Sequence, residues 1–202
     1  MSIHSSAEDR RVRKTKSSLR NALEGLVAEK EVGAITVSEL CAAADINRTT
    51  FYLHYRDVPT LVLDVAETHV RDLIASFEPV DMENRDLSAP PEQLVKVFAD
   101  VKAHAPLYRA VLQGEGFGLF HPRLMAVLQE AGVGRIVQVG GADGPAERGL
   151  VVYGIIGSVL GVISWWIATG LRRSARYMAE RTGWLLVAGA YPLLGLTPPS
   201  LG

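Results

Sequence analysis

Residues 36–55 read TVSELCAAADINRTTFYLHY, and the fold turns on this stretch. It opens with Thr36-x-x-Glu39, the spacing of a capping box, in which a hydroxyl and a carboxylate satisfy each other's backbone donors at a helix start. A short helix is expected from there through Ala44. A tight Asp45-Ile46-Asn47 turn follows, and a second short helix is expected from Arg48 to Tyr55. Phe51 and Tyr55 stand four apart and share one helix face. With Leu40, Ala44 and Ile46 they close a small core. Arg48, Thr49, Tyr52, Leu53 and Arg56 are then left facing outward. An exposed leucine beside an arginine, two threonines and an aromatic makes a poor solvated face. In a DNA major groove the same set is useful: arginine pairs with guanine, leucine meets a thymine methyl, and hydroxyls bond phosphates.

Upstream, Val12, Leu19, Leu23, Leu26 and Val27 form a helical stripe between Asp9 and Lys30, closed by Gly33. Three helices, the last two short and joined by a turn of about three residues, make a helix-turn-helix. Downstream, Asp57 is placed to cap a long helix reaching Phe77, with Leu61, Val65, Leu73 and Phe77 inward. Residues 78–91 (EPVDMENRDLSAPP) read as a polar, proline-bearing linker. Helices are then expected over Glu92–His104, Pro106–Gln113, Pro122–Val139, Pro145–Thr169 and Ser174–Ala190. Few segments alternate with period two, so the fold class is all-α. The expected organisation is a DNA-binding head over residues 1–57 and a larger helical body over 58–202.

The 202 residues are 48% hydrophobic and 21% charged with a net charge of −1, which excludes a disordered chain. It also excludes binding nucleic acid through overall charge, so a local patch must carry it. Residues 1–56 hold nine Lys/Arg against seven Asp/Glu, and residues 57–202 hold twelve against fifteen. Arg10, Arg11, Arg13, Lys14, Lys16 and Arg20 are uninterrupted by any acid, a run whose plainer reading is a solvated helix face. A single cysteine, Cys41, excludes an internal disulfide and reads as a small buried hydrophobe. The opening MSIHSSAEDRRVRK carries no apolar stretch, so a cytoplasmic protein is expected.

The pattern Thr36-x-x-x-Leu40-x-x-x-Ala44-x-Ile46-x-Arg48-x-Thr50-Phe51-Tyr52-x-His54-Tyr55 resembles the DNA-binding domain of TetR-family transcriptional regulators, over about residues 10–60. A weaker likeness to some members continues in Trp165-Trp166-Ile-Ala-Thr-Gly170, Ser174 and the final helix. The resemblance implies that the Thr36 hydroxyl and the Tyr52 phenol contact phosphates. It implies that Ser38, Arg48, Thr49, Thr50, Leu53 and His54 approach base edges. Two residues depart from the family pattern. Asp45 stands where glycine is common, and Val58 stands where a lysine usually grips a phosphate; Arg56, Lys14 or Lys16 are candidates to replace it.

Residues 149–171 (GLVVYGIIGSVLGVISWWIATGL) carry no charge and are long enough to cross a bilayer, which takes about 20 residues. Arg148 and Arg172-Arg173 flank them, so the alternative function is a single-span membrane sensor with a cytoplasmic DNA-binding head. Gly157, Gly161, Ser164 and Ala168, however, form a seam of small residues that admits a second helix closely. A helix apolar all round must be buried on several sides. Core on one side and a second copy of the chain on the other meet that need, so a soluble homodimer is the favoured reading. The resemblance implies the same, with this helix and the last one forming a four-helix dimer interface.

No enzymatic reading survives. Gly114-x-Gly116-x-Gly118 lacks the preceding strand of a phosphate-binding loop. His4, His54, His69, His104 and His121 show no metal spacing, and no serine nucleophile elbow occurs. Neither metal nor cofactor is expected. The favoured function is a dimeric, ligand-responsive repressor that binds a palindromic double-stranded operator. Its effector is expected to be a small, mostly apolar molecule in the body. Phe98, Tyr108, Phe117, Phe120, Tyr153 and Trp166 would supply apolar walls, and His69, His104 and His121 a polar end.

Overall fold

Helix follows helix along the chain. The computed structural model describes residues 3–77, 92–113, 116–130 and 145–189. Nine α-helices occupy them: α1 (Ile3–Glu29), α2 (Val37–Ala43), α3 (Arg48–His54), α4 (Val58–Ala75), α5 (Glu92–Ala103), α6 (Ala105–Leu112), α7 (Gly116–Glu130), α8 (Pro145–Ala168) and α9 (Ala175–Ala188). A 3-10 turn, Val32–Ala34, joins α1 to α2, and no strand occurs among the described residues. The class is all-α. The linker expected at 78–91 and the 131–139 end of the helix expected over Pro122–Val139 lie outside the described residues.

Two expected boundaries move. α1 begins at Ile3 rather than near Asp9. α7 begins at Gly116, so Pro122 stands inside the helix instead of opening it. A proline is most at home in a first turn, because it lacks the donor that the first turn does not use. Inside α7 it forgoes the bond that its nitrogen would otherwise donate to the Gly118 carbonyl.

The described chain falls into two compact units, one drawn from Met1–Val70 and Pro106–Leu124, the other from Arg71–Ala105 and Met125–Gly202. In the first, Leu19 and Leu23 of α1, Leu40 of α2, Phe51 of α3 and Leu61 and Ala66 of α4 are fully buried. Leu107, Tyr108, Val111, Phe120 and Leu124 add to this core. At its margin His69 Nε2 lies 3.1 Å from Glu24 Oε1, and Arg123 Nη1 donates to Glu67 Oε1 at 3.2 Å.

In the second unit α9 packs along α5 and against α8. Phe98 of α5 meets Trp166 of α8 edge to face at 5.5 Å, and both are buried. Ile156, Ile163 and Ile167 share the buried side of α8. Gly170, at φ +82°, ends the helix in a Schellman closure: Leu171 N donates to Trp166 O at 3.0 Å, and Gly170 N to Ile167 O at 3.1 Å.

The other side of α8 is open. Leu150, Tyr153, Gly154, Gly157, Gly161, Trp165 and Ala168 follow helical spacing and are all exposed, while Ser164 of the expected seam is half-buried. A Cβ built on Gly154, Gly157 or Gly161 meets nothing within 4 Å. Only 22% of the apolar stretch Gly149–Ala168 is buried within the chain.

Candidate nucleic-acid interface

Local chemistry sets α2 firmly. Thr36 Oγ1 accepts from Glu39 N at 3.3 Å, and Thr36 N donates to Glu39 Oε2 at 2.9 Å, which completes the capping box. The Thr36 hydroxyl donates to the same carboxylate at 2.7 Å. Lys30 also bonds Glu39; that bond and the Thr36 contacts hold the Glu39 carboxyl down to about 2. α2 ends in a second Schellman closure, with Ile46 N donating to Cys41 O at 3.0 Å and Asp45 N to Ala42 O at 3.4 Å. Asp45 therefore occupies the left-handed region at φ +53°, a conformation glycine adopts freely and aspartate tolerates. The glycine departure is a strained residue in an otherwise standard turn.

Asn47 caps α3, its Oδ1 accepting from Thr50 N at 2.7 Å. Phe51 is wholly buried and Tyr55 nearly so. The Tyr55 hydroxyl donates to Asp64 Oδ2 of α4 at 2.5 Å. Burial, then that carboxylate, push the phenol's pKa up. Lys16 of α1 stands 3.5 Å from the same Asp64 oxygen and 5.4 Å above the Tyr55 ring. The far end of α3 is thus tied to both α1 and α4. Asp64 and Asn47 carry no DNA-facing role in the sequence pattern. A capping signal marks Asn47, but no local signal marks Asp64, whose part depends on where α4 crosses α3.

With that inner face anchored, the outer face follows. Leu53 is 76% exposed and Tyr52 58% exposed, beside exposed Arg48 and Thr49. Thr50 and His54 are half-buried, and Thr36 and Ser38 of α2 are exposed. Arg48 Nη2 donates to Ser38 Oγ across the two helices. Arg56 bonds Asp57, the residue that caps α4 through Thr60 N at 2.9 Å. Lys16 is taken up by Asp64, whereas Arg10, Arg11, Arg13 and Lys14 are exposed and pair with no described residue.

The residues proposed to line an effector site divide between the units. Tyr108, Phe120 and His121 lie in the first; Phe98, His104, Tyr153 and Trp166 lie in the second. Tyr108 and Phe120 are buried, and Tyr153 is 48% exposed on the open side of α8. His104 Nδ1 sits 3.0 Å from Asp100 Oδ1. The side chain of Phe117 lies outside the described residues.

A capped seven-residue helix, anchored by two buried aromatics and presenting a mixed polar and apolar outer face, defines the helix-turn-helix class. Among solved structures, a TetR-family transcriptional regulator from Streptomyces coelicolor matches with a TM-score of 0.63 at 19% identity, over 87% of this chain and 80% of that one. The transcriptional regulator FadR from Bacillus subtilis, in complex with stearoyl-CoA, matches with 0.60 at 16% identity, over 86% and 98%. The dihydroxyacetone kinase operon activator DhaS matches with 0.59 at 17% identity, over 86% and 94%. Comparison with protein-family models and with curated protein sequences gives no match. The chain has the fold of TetR-family transcriptional regulators.

Proposed function

We propose that the protein is a homodimeric, sequence-specific DNA-binding repressor working in the cytoplasm, with residues 1–57 as its DNA-binding head and 58–202 as its dimerisation and effector body. The outer face of α3 carries the DNA assignment. Leu53 and Tyr52 stand more than half exposed beside Arg48 although the same helix buries Phe51 completely. Arg48, Thr49, Thr50, Leu53 and His54 would meet base edges, and Thr36 and Tyr52 phosphates. Two such helices related by a two-fold axis read half-sites about 34–36 Å apart, so the operator is palindromic.

Dimerisation is supported by the open apolar side of α8, where three glycines leave room for a second helix. A second copy covers this side with the same residues that expose it, as an isologous interface requires. Membrane insertion is disfavoured because the opposite side of α8 is already committed to the α5 and α9 core through Trp166, Ile163 and Ile167.

For the effector we infer a small, mostly apolar molecule; the FadR structure holds stearoyl-CoA, whose acyl chain is apolar although its coenzyme A part is polyanionic. Trp166 Nε1 and Thr182 Oγ1 are buried without a hydrogen-bond partner among the described residues, which leaves two polar groups for such a ligand's polar end. A ligand that prefers one spacing of the two recognition helices shifts DNA affinity by its differential affinity. Selecting bound duplexes from a random pool with purified protein tests the central reading. Recovery of a palindromic consensus supports it, and recovery of no consensus overturns it. A reporter placed behind that consensus then separates repression from the activation named for DhaS.

A further inference from the structure

We infer that Ser38 is a positioning residue for Arg48, so that α2 sets the base preference of the recognition helix without reading a base itself. The inference rests on the DNA-binding role proposed for α3. Its starting observation is the hydrogen bond from Arg48 Nη2 to Ser38 Oγ, which joins the first residue of α3 to the second residue of α2.

Both side chains are exposed, so solvent would satisfy them without each other. An unanchored arginine at a helix start has four freely rotating side-chain torsions, and most of its rotamers point nowhere useful. The Ser38 hydroxyl selects among them. Because Thr36 and Glu39 close the capping box and Ile46 and Asp45 close the other end, α2 is rigid at both termini, and Ser38 is a fixed point.

The bond costs Arg48 little of its reading capacity. A guanidinium has five N–H donors in a planar fork, and Ser38 takes one of them. The donors left over are enough for the paired contact to guanine O6 and N7. Holding one edge of the fork fixes the plane of the rest. The resemblance implies a direct base contact for Ser38, and the geometry assigns it instead to orienting its neighbour.

The two roles predict different losses. Arg48→Ala should relax discrimination at one base pair of each half-site by about 5- to 150-fold, the range for a bidentate arginine–guanine contact. Ser38→Ala should relax the same base pair by about two- to tenfold, as expected for losing one solvent-exposed hydrogen bond to the guanidinium. Ser38→Thr keeps the hydroxyl and should restore it. In the Arg48→Ala background, Ser38→Ala should change nothing further.

The experiment uses full-length protein and the consensus duplex obtained by selection, together with every single base-pair variant of one half-site. Wild type, Ser38→Ala, Ser38→Thr, Arg48→Ala and the double variant are titrated against the whole set. Far-UV circular dichroism confirms that each is folded; Ser38 is exposed, and the fold needs nothing from its side chain. Coincident, non-additive losses with rescue by threonine support the inference. Relaxation by Ser38→Ala at a different base pair overturns it in favour of direct reading. Uniform weakening on all duplexes overturns it in favour of a phosphate contact, and additive losses overturn it outright. A wild type that selects no consensus fails the DNA-binding role itself, a result distinct from all of these.

Discussion

Gly161→Leu separates the fold of one chain from the assembly of two. Within the chain the substitution is harmless: Gly161 is exposed in mid-α8, and a Cβ there meets nothing within 4 Å. Leucine is also the better helix former by roughly 0.8 kcal/mol, so the protomer should gain slightly. Between chains the effect reverses. Helix axes pack about 8–10 Å apart depending on the side chains at the contact, and a glycine seam sets the closer end of that range. Inserting a large side chain into a packed contact costs about 1–3 kcal/mol. A two-fold interface meets every substitution twice, which makes about 2–6 kcal/mol. The dimer dissociation constant should therefore rise by about 30-fold to 10⁴-fold. Sedimentation equilibrium measures that constant, and thermal melts over a range of protein concentrations report it independently, because a dimer's melting temperature depends on concentration. The expected outcome is a folded monomer, or an aggregate through the newly exposed face. A Gly161→Leu protein that dimerises within threefold of wild type refutes the assignment of the seam. A wild type that needs detergent refutes the soluble dimer altogether.

The remaining predictions concern the head. Asp45→Gly should relieve the cost of the left-handed conformation and stabilise by about 0.5–1 kcal/mol, raising the melting temperature by about 1–4 °C, whereas Asp45→Ala should lower it. A loss of stability on Asp45→Gly would mean that the aspartate side chain supports the turn. Neutralising Arg10, Arg13 and Lys14 together with glutamine should flatten the salt dependence of operator binding by about two to three units per protomer, at about 0.9 per phosphate contact. Lys16→Gln should flatten it far less, because Asp64 already holds that ammonium; equal slopes in all variants would identify the α1 run as a solvated face. Acid should loosen the head in a defined window. The Glu39 and Asp57 carboxyls are each held down to about 2, Glu39 by Lys30 and then Thr36, Asp57 by Thr60 and then Arg56. A lowered folded pKa gives stability that is full above the ordinary carboxylate range and lost as pH falls toward 2. Glu39→Gln should weaken this acid sensitivity in pH-dependent melts, and an unchanged profile would count against the Lys30–Glu39–Thr36 cluster.

Where a residue's partner lies within one or two helical turns, the sequence pattern suffices. Thr36 and Glu39 read as a capping box and are one. Phe51 and Tyr55 read as the inner face of α3 and are buried there, which leaves Tyr52 and Leu53 outside. Where the partner is remote, the pattern is silent or misleads. Pro122 reads as a helix start because proline suits a first turn, yet α7 already runs from Gly116. The glycines of α8 are visible as a seam, but whether the seam faces its own chain or open space depends on which side Ile156, Ile163 and Ile167 turn toward α5 and α9. That is a property of tertiary packing, not of spacing. Asp64 is a plain polar position on an amphipathic helix until the Tyr55 hydroxyl is seen to reach it.

The same distinction explains how the outer face of α3 is held. A helix of seven residues does not persist alone, since nucleation is costly and too few bonds follow it. Its presence and its direction must therefore come from contacts outside it. Asn47 fixes where it begins, the Asp45–Ile46 closure fixes the angle at which it leaves α2, and the buried Phe51 ring fixes its roll. The Tyr55–Asp64 bond ties its far end to α4. None of these six residues needs to touch DNA, and each stands on the inner side of the motif or in its turn. A displacement of α4 by even part of a helical turn would pull on Asp64 and so on the end of α3, while the start of α3 stayed fixed by α2. α3 would pivot about Arg48 rather than shift as a whole. The residues that move most would be Leu53 and His54, and those that move least would be Arg48 and Ser38. If α3 reads DNA as proposed, base contacts near its end would be the ones that a shift of α4 makes or breaks.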